Sequence, residues 1–185
     1  MSATESLHYQ LCVEGAKWLH RRKHDWKKCQ NKDCHIPEFC QNCQMYDYVA
    51  VELCVVGAEN TDVWGYCCSD ATSAVIEVKT SHSDFLADKK KWWRSKEAGD
   101  GGYQAGTRRW FLCPEGIIKP EELPEGWGLL YWDGKKIRHV VAPTITYMNT
   151  SRADMIMLTS ILRRENFQKK IYNYRGCPTT IHSKE

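Results

Sequence analysis

The run Ser73-Ala74-Val75-Ile76-Glu77-Val78-Lys79-Thr80, followed at once by Ser81-His82-Ser83-Asp84-Phe85-Leu86-Ala87-Asp88, decides how this chain is read. Its first half is short, apolar and rich in β-branched residues, the pattern of a strand. Its second half opens with two serines suited to cap a helix, expected from about Asp84 to Lys96 and ended by Gly99. Arg109-Trp110-Phe111-Leu112-Cys113 is the next apolar strand run. A strand, a helix of that length and another strand make a right-handed crossover between parallel neighbours. The class is therefore α/β with a mixed sheet flanked by helices, not a bundle or a sandwich.

On the amino-terminal side, Leu7, Leu11, Trp18 and Leu19 recur at helical spacing, and Ser2 with Glu5 reads as a capping box. A helix over 4–22 is expected, then strands over 47–57 and 61–67. On the carboxyl-terminal side, 128–132 is a strand, and Asp133-Gly134 turns into a partner over 136–141. Ser151 with Asp154 opens a last helix, apolar at Met155, Leu158 and Leu162. The organisation is a core of residues 1–22 and 47–165, an insertion at 23–46 and a basic tail at 166–185.

Composition narrows the class. The 185 residues are 42% apolar and 26% charged, which excludes wholesale disorder. No apolar run reaches the ~18 to 20 residues of a membrane helix. Met1 to Glu5 carry no basic patch leading into an apolar stretch, so no signal peptide is read, a cytoplasmic location is expected and no membrane partner is expected. A net charge of +3 is too mild to name a partner by itself; its distribution has to do so.

Glu77 and Lys79 lie two apart on a strand, so they project from one face, while Ala74, Ile76 and Val78 point into a core. Asp62 opens the preceding strand, and neighbouring strands would bring it to Glu77 at one sheet edge. Two carboxylates there make an all-oxygen site suited to Mg²⁺ or Mn²⁺. A lysine beside them can place an activated water or offset charge on a phosphate. Glu52 on the first strand could add a third carboxylate. The plain alternative is a solvated Glu–Lys pair. The following helix, with Lys89, Lys90, Lys91, Arg94 and Lys96 against Asp88 and Glu97, favours a phosphodiester substrate.

Asp62 followed by Glu77-Val78-Lys79 resembles the motif of the PD-(D/E)XK phosphodiesterase superfamily, and more closely its small phage- and prophage-type members. The similarity runs through Trp18-Leu19, Glu52, Asp62-Val63, Glu77-Val78-Lys79, Ser81 to Asp88, Leu112 to Ile118 and Leu123 to Leu130, covering roughly residues 5–22 and 47–133. Thr61 stands where the motif usually has proline. The resemblance implies a restriction-endonuclease-like core, Mg²⁺ (or Mn²⁺) on Asp62 and Glu77, Lys79 as catalytic lysine and Glu52 as a recurrent strand glutamate. It also implies a bacterial or phage setting.

The insertion lies outside that pattern. Its spacing, Cys29-x4-Cys34-x5-Cys40-x2-Cys43, fits a closed four-thiolate Zn²⁺ site of structural type. Zinc could fold a segment with so few apolar residues. His35 could replace a thiolate, and His24 is an outside candidate. The alternatives are incidental reduced cysteines or a redox Cys40/Cys43 pair. Most of the other six cysteines read as small buried hydrophobes. Lys27 and Lys28, with Lys17, Arg21, Arg22, Lys23 and Lys32, make this region basic, and Trp26 interleaves. Such a finger can grip a nucleic-acid backbone or stack on bases. Lys89, Lys90, Lys91 and Arg94 would flank the same cleft.

The expected function is a metal-dependent nuclease acting on nucleic acid, DNA in the first instance, by a Mg²⁺-activated water, with a zinc finger aiding binding. The rival is a non-catalytic nucleic-acid-binding or assembly protein that keeps the fold; a third reading is a zinc-bearing protein adaptor. A complete Asp62/Glu77/Lys79 set favours the enzyme. The order of strands leaves substrate form and oligomeric state open, a dimer included. Three further residues read as structural: Trp18 and Trp127 as packing, and His82 as a turn histidine.

Overall fold

In the computed structural model, residues 6–20, 46–68, 71–88, 104–145 and 150–165 are described. The chain forms helix α1 (Leu7–His20), strands β1 (Tyr48–Leu53), β2 (Thr61–Cys67) and β3 (Thr72–Val78), and helix α2 (His82–Asp88). Strands β4 (Arg108–Pro114), β5 (Gly128–Trp132) and β6 (Ile137–Val141) follow, with a 3-10 turn at Pro120–Glu122, and helix α3 (Thr150–Arg164) closes the fold. The six strands lie in one sheet in chain order. β3, β4 and β5 run parallel; the other neighbours are antiparallel. The expected mixed sheet flanked by helices is therefore present, and α2 lies on the crossover from β3 to its parallel neighbour β4.

Burial follows this topology. Every residue of β3 and β5 is buried, as for strands covered on both faces. One face carries Val63, Ala74, Ile76, Val78, Trp110, Leu112 and Leu130, packed against Leu11, Cys12 and Leu19 of α1. Alternation sends Trp64 and Val75 to the opposite face, against Ala153 and Met157 of α3. Phe111 and Leu129 share that second face with Phe85 of α2. α1 sits close to the sheet because two glycines make room. A Cβ at Gly15 would meet Leu112 at 3.2 Å, and one at Gly65 would meet Tyr46 at 3.1 Å and Leu19 at 3.2 Å.

Several boundaries depart from the sequence reading. α1 begins at Leu7, not residue 4, because Ser6 is the cap: its Oγ accepts the Tyr9 N–H at 3.3 Å. β1 stops at Leu53 rather than running to Gly57. Glu52 takes a left-handed φ of 50°, and a turn closes behind it through Ala58 N–H to the Val55 carbonyl. Ser81 Oγ caps α2 by accepting the Asp84 N–H at 3.2 Å. On α3 the buried positions are Ala153, Asp154 and Met157, while Met155 is 52% exposed. The inward stripe is therefore 153, 154 and 157, with Leu158 and Ile161 packed against it, so Leu158 faces the core as expected and Met155 does not.

Asp154 is also not a capping partner. It is buried and accepts from Trp64 Nε1 at 2.9 Å, Ser73 Oγ at 2.6 Å and the Gly106 N–H at 3.2 Å, tying α3 to β2 and β3. Burial pushes its carboxyl above the usual range, and those donors pull it back in part. Of the scattered cysteines, Cys12, Cys67 and Cys113 are buried as expected, whereas Cys54 and Cys68 are exposed. The Cys29, Cys34, Cys40, Cys43 cluster, His24, His35, Trp26, Lys27, Lys28, Lys89, Lys90, Lys91, Arg94 and the 166–185 tail lie outside the described residues. No helix among the described residues is long and apolar enough to cross a membrane.

Candidate active site at the β1–β3 edge

Strand register gathers the acids. Val51↔Val63 and Leu53↔Thr61 bracket Glu52 and Asp62 on the first ladder. Val63↔Ile76 on the second puts Asp62 one step further along, opposite Glu77. Glu52, Asp62 and Glu77 thus form one row across three adjacent strands. Their side chains grade from outside to inside, 54% exposed at Glu52, 24% at Asp62 and 4% at Glu77. Asp62 is held in place by the main chain: its Oδ2 accepts the Val78 N–H at 2.7 Å.

Lys79 completes the row. Its N–H joins β4 by donating to the Leu112 carbonyl at 2.9 Å. Its Nζ lies 3.8 Å from Glu77 Oε2 and 3.5 Å from Asp88 Oδ1, and all three residues are buried. An ammonium out of water needs such partners, since its desolvation is costly unless paired. Asp88 entered the sequence reading only as one of two acids set against the basic residues of its helix; it is 1% exposed and faces the lysine. The two-residue spacing did foretell that Glu77 and Lys79 share a face, with Ala74, Ile76 and Val78 in the opposite core.

α1 reaches the same edge. His8 Nε2 is 3.5 Å from Asp62 Oδ2, and His8 Nδ1 is 3.9 Å from Glu52 Oε1. Cys12, one helical turn on, has its Sγ 3.6 Å from His8 Nδ1. Burial pushes the Cys12 thiol up to about 12, and the charges of Asp62, Glu52 and Glu77 push the same way. The thiol therefore senses all three carboxylates of the row. Sequence reading missed His8 and Cys12; their i, i+4 spacing on one helix face was the available signal. Glu52 adds a second departure, because a left-handed φ is uncommon for a non-glycine residue and collects at functional sites.

The residues read as structural behave as such. His82 Nε2 donates to Glu122 Oε1 at 2.7 Å. Trp18 packs edge-on to Trp110 with centroids 5.6 Å apart. Trp127 stacks on Phe111 at 4.3 Å, with the Arg109 guanidinium 4.6 Å from its ring. Arg109 in turn forms a two-pronged pair with the buried Glu59, at 2.5 and 2.9 Å.

No protein-family model and no curated protein matches the chain. A solved structure of a protein of unknown function from Silicibacter pomeroyi is similar at 23% identity, with 64% of this chain and 76% of that chain covered and a TM-score of 0.46.

Proposed function

We propose that this chain is a metal-dependent nuclease of the restriction-endonuclease-like, PD-(D/E)XK type. The observation that carries the reading is the row Glu52–Asp62–Glu77 across β1–β3, with Lys79 buried beside Glu77. Asp62 and Glu77 offer carboxylate oxygens only, which fits a hard cation such as Mg²⁺ or Mn²⁺. Bound there, the ion would supply Lewis-acid charge against a phosphate oxygen.

The chain's own residues do the rest. The Val78 N–H fixes one Asp62 oxygen, so the carboxylate meets its ligand without first reorganising. Lys79, held between Glu77 and Asp88, keeps its ammonium aimed at the row, where it positions the attacking water and offsets negative charge growing on the phosphate. Glu52, at the exposed end, faces the substrate side. Lys27, Lys28, Lys89, Lys90, Lys91 and Arg94 serve as backbone-binding cations, and Cys29, Cys34, Cys40 and Cys43 hold a structural zinc in the insertion.

The test is a panel of single-stranded, double-stranded and branched DNA and RNA, each with Mg²⁺, with Mn²⁺ and with chelator. Cleavage of at least one substrate class is expected with metal and none with chelator. Nucleic-acid binding without cleavage under every condition would replace the nuclease with the non-catalytic reading.

A further inference from the structure

The donors around Asp62 are not all oxygen. His8, Cys12 and Asp62 each present one ligand atom, an imidazole nitrogen, a thiol sulfur and a carboxylate oxygen, and these atoms all lie within 4.8 Å of one another. Metal–ligand bonds of about 2.0 to 2.3 Å at tetrahedral angles would set such donors roughly 3.5 Å apart. The group therefore needs only a small contraction to close on an ion. The His8 Nε2–Asp62 Oδ2 distance of 3.5 Å is already in that range; Cys12 Sγ lies 3.6 Å from the other ring nitrogen, Nδ1, so closing the site on a single nitrogen takes a turn of the His8 ring.

We propose that His8, Cys12 and Asp62 form a second, softer cation site of the zinc class, with three protein ligands and a fourth position open to solvent. The donor chemistry makes the selection. Thiolate and imidazole favour Zn²⁺ or Co²⁺ over Mg²⁺, which takes oxygen ligands in an octahedron. Two ligands come from one helix turn and one from a strand, so the site is built by packing α1 on the sheet. Cys12 is wholly buried at its base, while His8 and Asp62 are partly exposed above it, leaving a path for the ion. On binding, the Sγ–H bond is replaced by a sulfur–metal bond and the proton passes to solvent. Redox chemistry is not involved.

The site itself stands on geometry alone. Its consequence for cleavage rests on the nuclease reading: Asp62 belongs to both donor sets, so zinc and magnesium cannot both use it, and zinc acts as an inhibitor.

Cobalt is the probe, added to the full chain as purified. Wild type, Cys12→Ser and His8→Asn are compared for bound Co²⁺ and for the thiolate-to-cobalt charge-transfer band. The wild type is expected to bind one equivalent more than either variant, with affinity at that site falling in the variants by more than the roughly 10- to 100-fold that loss of a supporting group costs. Its charge-transfer band should lose intensity in Cys12→Ser. Should Cys12→Ser fold poorly, His8→Asn decides, since His8 is partly exposed and its loss leaves no core gap; a thermal melt checks both. Equal cobalt uptake and equal spectra in all three proteins would overturn the site. Cobalt bound through His8 and Cys12 in a chain that cleaves nothing keeps the site and removes the nuclease. Cleavage with Mg²⁺ in a chain whose cobalt binding ignores both residues does the reverse.

Discussion

Asp154 belongs to α3 and Glu59 to the loop before β2; Glu77 belongs to β3 and Asp88 ends α2. All four are buried acids on the same side of one sheet, yet their surroundings differ in kind. Asp154 accepts from an indole, a hydroxyl and a main-chain N–H. Glu59 takes both prongs of Arg109 and the Ala105 N–H. Along the β1–β3 edge and at the end of α2, by contrast, Glu52, Asp62, Glu77 and Asp88 gather with one lysine and one imidazole. Acids supplied with dedicated donors hold elements together. Acids drawn up beside one another store repulsion that a cation relieves, which is the arrangement a metal-assisted site requires.

Four substitutions press on that contrast. The largest effect is expected from Lys79→Ala, which removes the ammonium between two buried carboxylates. Cleavage should fall by at least about 1000-fold, and the chain should also melt earlier, because a buried pair has lost a partner. Initial rates and denaturant melts on one preparation read both. Cleavage within a few-fold of wild type would place Lys79 among the structural residues. Next comes Glu59→Ala, which strands Arg109 in the interior. A loss of about 3–5 kcal/mol is expected, with the rate of the folded fraction unchanged; a lost rate at full folding would erase the distinction between the two regions.

Asp154→Ala should cost somewhat less, about 2–4 kcal/mol, since three neutral donors lose their acceptor but no charge is stranded. Urea unfolding measures it, and cleavage again serves as the control. The smallest effect concerns pH. Burial holds His139 below its ordinary value of 6.5, and its ring accepts from Trp110 Nε1 at 3.3 Å. The folded state thus prefers the neutral ring. This contribution is present above about pH 6.5 and is lost as pH falls through the lower, folded-state value. His139→Gln keeps an acceptor but does not titrate. Its melting temperature should fall less than wild type's between pH 7 and pH 5; parallel curves would show that His139 is not the group involved.

How far this contrast could be read in the sequence depends on which interactions are local. The β3 strand, the crossover to β4 and the shared face of Glu77 and Lys79 follow from period-two alternation and a capped helix close by, and all were legible. Asp62 opposite Glu77 followed from assuming that consecutive strands pair, as they do throughout this sheet. Asp88, Asp154 and His8 were not legible. Each is a polar residue in a helix whose role depends on a partner in another element, Asp154 on Trp64 and Ser73, His8 on Asp62 and Asp88 on Lys79. Charge counting weighed Asp88 only against the lysines of its helix, and a capping pattern claimed Asp154. The early end of β1 depended on a left-handed φ at a glutamate, which no propensity favours.

The central claim is that Asp62 in this row does chemistry rather than shape the fold, and Asp62→Asn tests it most directly. Asparagine retains a carbonyl oxygen for the Val78 N–H, so the main-chain contact is preserved while the charge is removed. On a substrate that the wild type cleaves with Mg²⁺, the expected result is an unchanged melting temperature with cleavage reduced by about 1000-fold or more. Wild-type cleavage by a well-folded Asp62→Asn chain would contradict it.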